Sequence, residues 1–138
     1  MQPVQRVAHG REQEAMNKLG QSQQYLDAQM ARLDELRNYR EQYARDFAAT
    51  GEGGLNATRV REFRAFLGRL GEAIRQQEAL IDRYRAQHEV NRRQWIESRG
   101  HSQAIDKVVD RYREQERREQ ERREQRELDD RSQRPPRR

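Results

Sequence analysis

The sequence has no cysteine, and its three prolines stand at the two ends, at Pro3, Pro135 and Pro136. The first absence excludes disulfides and thiolate metal sites and leaves the redox compartment open. The second means that a helix begun near Pro3, where a first turn tolerates proline, meets no other until residue 135. Apolar residues are also scarce: 32% of the chain against 38% charged, too few for a compact globule of this size. No apolar run is long enough for a transmembrane helix or a signal peptide, so the chain reads as cytoplasmic, without direct membrane insertion.

Catalytic signatures are missing as well. There is no phosphate-binding loop of the Gly-x-x-x-x-Gly-Lys-Ser/Thr type and no serine or cysteine nucleophile in a catalytic setting. The three histidines, His9, His88 and His101, are too scattered for a metal site. His88 falls at a helix-core position, where a structural role suits it. Carboxylates are abundant, but a two-helix rod offers them no pocket that would raise a pKa for acid–base work. The sequence is read as that of a non-enzyme with no metal and no cofactor.

What is present is helix-forming and charged. Gln, Glu, Arg and Ala dominate between the prolines, all strong helix formers. This composition suits long helices burying a narrow stripe better than a disordered polyelectrolyte. The net charge of +5 comes from 29 basic and 24 acidic residues, closely interleaved. Such a mixture sustains little field, so a solvated coiled-coil surface is favoured over a nucleic-acid-binding one, which would show steeply salt-dependent binding.

One stretch, Phe47 to Val60, interrupts the pattern. Gly51, Gly53 and Gly54 fall within four residues and can end a helix and turn the chain. Asn56 can cap the helix that follows, with Leu55 and Val60 at the spacing of a hydrophobic staple. On either side runs a heptad. Before the glycines, position a reads Glu12, Leu19, Leu26, Leu33, Arg40, Phe47, and position d reads Ala8, Ala15, Ser22, Gln29, Leu36, Tyr43. After them, a reads Val60, Leu67, Ile74, Ile81, His88, Trp95, Ser102, Val109, and d reads Phe63, Leu70, Gln77, Tyr84, Asn91, Ser98, Ile105, Tyr112. A phase held this long indicates a coiled coil.

Folding the chain at the glycines sets Leu33 and Leu36 against Leu70 and Ile74, and Gln29 near Gln77 as a polar layer that fixes register. Trp95 falls between the small Ala8 and Ala15. The expected fold is all-α: a long antiparallel two-helix coiled-coil hairpin over residues 1–112. Its helix 1 runs from about 3 to 49, its tip spans 50–56, and helix 2 starts at about 57. A parallel dimer of one continuous helix, the structural-oligomer alternative, would have to run through three glycines. Tyr25, Tyr39, Phe66 and Leu80 lie off the seam at position g, with Tyr39 opposite Phe66, Tyr25 opposite Leu80, and Ala73 between. This row is either a broader core or a partner-binding face.

By the same register helix 1 ends near residue 105 of helix 2, so Ile105, Val108, Val109 and Tyr112 are expected to find no partner in the chain. Residues 113–138 form a highly charged extension. Arg113 to Glu127 nearly repeats Arg-Glu-Gln-Glu-Arg without one apolar residue, and persists as a solvated helix through Glu–Arg pairs or frays. Asp129 to Arg138 is read as a disordered tail.

Tyr39-Arg-Glu-Gln-Tyr43, the segment Phe66-Leu-Gly-Arg-Leu70-Gly-Glu-Ala73-Ile74, Gln76-Gln77, and Trp95-Ile-Glu-Ser-Arg99 together resemble the flagellar export protein FliJ family. The similarity extends from about Val4 to Glu127. The resemblance implies a soluble component of the flagellar type III export apparatus, peripherally associated with the inner membrane at the flagellar base. Its fold would be a stalk-like antiparallel coiled coil, and its partners the export ATPase hexamer, the cytoplasmic domain of the membrane export gate and export chaperones. The family's gate-contacting face matches Leu36, Tyr39, Tyr43, Phe66, Leu70 and Ala73, while Arg32 and Gln77 depart from its usual residues there. Insertion into the ATPase would use the open end and Ile105, Val108, Val109 and Tyr112.

Overall fold

A computed structural model of the chain describes residues 2–50 and 56–133. Two long helices account for every described residue but Asn56: α1, Gln2–Thr50, and α2, Ala57–Gln133. They pack against each other as a two-helix hairpin, and no strand occurs among the described residues. Gly51, Gly53, Gly54 and Leu55, read from sequence as the turn and half of a staple, lie outside the described residues. The cap beside them is formed: Asn56 Oδ1 accepts from the Arg59 amide at 2.8 Å, satisfying one of the free N–H groups that open α2.

Chain contacts divide the protein into two compact units. The central unit, Ala15–Trp95, is built on aliphatic and aromatic side chains. Leu26, Leu33, Leu70, Ile74 and Ile81 are its buried cluster, with Leu36, Phe66 and Tyr84 packed against it. Each such aliphatic residue contributes about 1.5–3 kcal/mol by leaving water. The polar layer is also made: Gln77 Nε2 donates to the Gln29 carbonyl at 2.9 Å and to Gln29 Oε1 at 2.8 Å. Antiparallel register follows from that pair and from the stacked rings of Phe47 and Phe63, 3.8 Å apart.

The terminal unit combines Met1–Glu14 with Ile96–Arg138. Its seam is small and polar, with Ala8 and Ser102 buried beside Val109. Asp106 ties the two helices here. Its Oδ1 accepts from Gln5 Nε2 at 3.0 Å and lies 2.9 Å from His9 Nε2. The Gln5 hydrogen bond is the largest influence and holds the Asp106 carboxyl below the usual carboxylate range; desolvation opposes it, and the contact with His9 adds to the lowering.

Two expectations change in this unit. Val109, read as unpartnered, is 3% exposed, and Gln2 lines a recess with Val109 and Tyr112. Side chains of a helix lean toward its N-terminus, so the first turn of α1 covers α2 farther along than a count of Cα positions suggests. Ile105 is half-buried, while Val108 and Tyr112 stay exposed. The second change concerns the tail. The helix runs through the charged repeat and on through Asp129–Gln133, where disorder was expected. Arg117 bridges Glu114 and Glu121, Arg118 bonds Glu114, and Gln125 and Ser132 both bond Asp129. These three- and four-residue links carry a helix that has no buried face.

Candidate protein-binding face

The heptad in α1 and α2 buries or half-buries every a and d side chain except Arg40 and Tyr112. Against that seam, the g row of the central unit stands apart. Tyr39 is 54% exposed, while Phe66 and Ala73 are half-buried. Tyr39 meets Phe66 edge-on, with ring centroids 5.9 Å apart and planes at 71°. Tyr43, half-buried at its d position, closes the group at 4.2 Å from Phe66 and stacks on Phe63 at 5.5 Å. Leu36 is half-buried and Leu70 buried beneath them.

Of the six residues singled out from sequence, five thus form one neighbourhood in which Leu36, Tyr43 and Leu70 support and Tyr39 and Phe66 present surface. Ala73 lies two turns along α2 from Phe66, on the same flank. Aromatic pairs in such offset and edge-on geometry add about 0.5–1.5 kcal/mol beyond burial, which favours this arrangement of the rings. Two of its features were not foreseen. Arg69 sets its guanidinium 6.0 Å from the Phe66 ring centroid, a contact signalled in sequence only by three-residue spacing. Tyr25 stacks on Tyr84 at 6.2 Å, where a pairing with Leu80 was expected. The same N-terminal lean of side chains shifts Tyr25 about one turn along α2. Beside the face, the Arg75 guanidinium bonds Glu72 at 2.7 Å and lowers its pKa.

The four residues assigned from sequence to a second contact, Ile105, Val108, Val109 and Tyr112, all lie in the terminal unit, with Val109 taken up by the seam. Among the described residues no group of three His, Asp or Glu side chains could hold a metal ion, and no helix is long and apolar enough to cross a membrane.

Two long helices packed as a hairpin, with no strand among the described residues, define the class of all-α coiled-coil proteins. Within that class the match is specific. A family model described as "Flagellar FliJ protein" matches residues 1–138, the whole chain, and the protein belongs to that family. Membership makes this a flagellar export-related protein. No curated protein and no solved structure matches the chain.

Proposed function

We propose that the protein is a stalk-like adaptor of the flagellar type III export apparatus, linking the export ATPase to the cytoplasmic domain of the membrane export gate and to export chaperones. In this role it serves flagellar assembly and motility from the cytoplasmic face of the inner membrane, held there by its partners. The observation that carries the reading is the exposed Tyr39 edge-on against Phe66, outside a seam that is otherwise closed. Large aromatic rings left half in water on a charged rod are favourable anchors for another protein, because they bury much area for little side-chain entropy. Tyr39, Phe66 and Ala73 are the contact residues of the gate face, and Leu36, Tyr43 and Leu70 hold them in position. Exposed Val108 and Tyr112, with half-buried Ile105, are offered to the ATPase.

The double substitution Tyr39→Ala/Phe66→Ala tests the gate assignment. Helical circular dichroism should persist, since neither side chain is fully buried, while pull-down of the gate's cytoplasmic domain is lost. Gate binding equal to that of the parent protein would remove the assignment.

A further inference from the structure

The terminal unit carries a second surface that neither the heptad nor the gate-face reading uses. On α1, Val4, Val7 and Arg11 follow at three- and four-residue spacing, and on α2 His101, Ile105 and Val108 do the same. Residues so spaced share one helix face. Val4, Val7, Ala8, Arg11, His101 and Ile105 line a single groove between the helices. Val4 is 52% exposed, Val7 55% and Val108 42%. Single exposed valines are ordinary on protein surfaces, but here Val4 and Val7 gather with Ile105 about a groove floored by a small residue, Ala8. A groove between two antiparallel helices, apolar inside, has the shape that accepts a third helix laid along it.

Charge then selects the occupant. Arg11 and His101 stand on the groove and make no ion pair or hydrogen bond with any described residue. The acid on the opposite flank of this unit, Asp106, is taken up by Gln5 and His9. Glu97 joins Arg11 and His101 only in the adjoining recess, where Ser98 replaces the valines. The apolar stretch therefore carries the Arg11 guanidinium and the His101 ring, and no carboxylate is among its lining residues.

We propose that this groove binds an acidic amphipathic helix of a partner protein. Apolar side chains of that helix, spaced i, i+3 or i+4, and i+7, fill the space between Val4, Val7 and Ile105. Its flanking glutamates or aspartates meet Arg11 and His101. The proposal shares Ile105 and Val108 with the ATPase-end reading but is carried by Val4, Val7 and Arg11 on α1. Val7→Asp changes the groove and none of the ATPase-end residues, whereas Tyr112→Ala changes an ATPase-end residue that does not line the groove, so the two assignments fail separately.

The test is a fluorescence-anisotropy titration of the full chain with a labelled synthetic helix bearing leucines at that spacing and glutamates beside them. A counterpart with every glutamate replaced by lysine is run in parallel. The acidic peptide should bind about tenfold or more tightly than the lysine peptide, and Val7→Asp and Arg11→Glu should each weaken it about tenfold. Both side chains are exposed, so circular dichroism should be unchanged in either variant. Absence of binding, equal binding of the two peptides, or a titration indifferent to both substitutions overturns the proposal. So does sedimentation as a dimer that Val7→Asp converts to monomer, which would give the groove to a second copy of the chain.

Discussion

Gln77 illustrates how a single polar residue constrains a coiled coil. Its amide is buried and donates twice to Gln29, so removing either partner leaves the other's polar atoms short of bonds in a dry layer. Gln77→Ala should lower stability by about 1–3 kcal/mol in a thermal melt. The pair Gln29→Leu/Gln77→Leu should instead raise the melting temperature and loosen register, read as a spread of inter-helix cross-links where the parent gives one set. Asp106 makes a pH-dependent contribution. Its folded pKa lies below the unfolded value, so the stabilisation is present above the ordinary carboxylate range and fades as pH falls through the folded pKa. Asp106→Asn should therefore make the terminal unit's hydrogen exchange less sensitive to acid between neutrality and the lower carboxylate range. An unchanged acid response would show that the contact with Gln5 and His9 has no energetic weight.

At the scale of elements, α1 and α2 were readable because heptad position decides burial almost everywhere. The seam from Leu26 to Leu36 and from Leu70 to Tyr84 is apolar enough for periodicity alone to place it, and Asn56 announces the start of α2 through its capping chemistry. The aromatic pair beside the seam was legible for the converse reason: Tyr39 and Phe66 are aromatic at a position that a two-helix seam leaves partly open. What sequence did not reveal depends on direction more than on period. Counting positions treats side chains as perpendicular to the helix, whereas their lean carries Tyr25 to Tyr84 and brings the start of α1 over Val109. The groove at Val4 and Val7 escaped because two short apolar rows on different helices show no periodic signal until they are laid side by side. The glycines inside α1 have no packing role either. At Gly10 and Gly20 an added Cβ would meet nothing within 4 Å, so each leaves α1 about 1 kcal/mol weaker than alanine would.

At the scale of the whole molecule the two helices are unequal, since α2 has 77 residues against 49 in α1. The part of α2 beyond Tyr112 buries almost nothing, and its five-residue repeat turns the charged side chains steadily around the axis. No apolar seam can form on it, which leaves ion pairing within the helix as its support. Truncation after Tyr112 should leave the melting temperature of the hairpin essentially unchanged and reduce co-sedimentation with the export ATPase. ATPase binding equal to that of the full chain would remove the extension from that contact.

The stacked pair Phe47–Phe63 also bears on how the chain reaches its structure. Pairings between α1 and α2 close very different lengths of chain: Arg37 and Glu78 are 41 residues apart, Gln29 and Gln77 are 48, and Gln5 and Asp106 are 101. Phe47 and Phe63 close a shorter span than any of these, and do so with the rings nearly parallel. Loop-closure entropy grows with span, so the aromatic pair forms first and each later pairing adds only a small increment of loop. Assembly then runs as a zipper started at Phe47 and Phe63, with Asp106 among its last closures. Substitution Phe63→Ala should slow folding, whereas Asp106→Asn should act chiefly on unfolding; the reverse pattern in stopped-flow measurements would place the nucleus elsewhere.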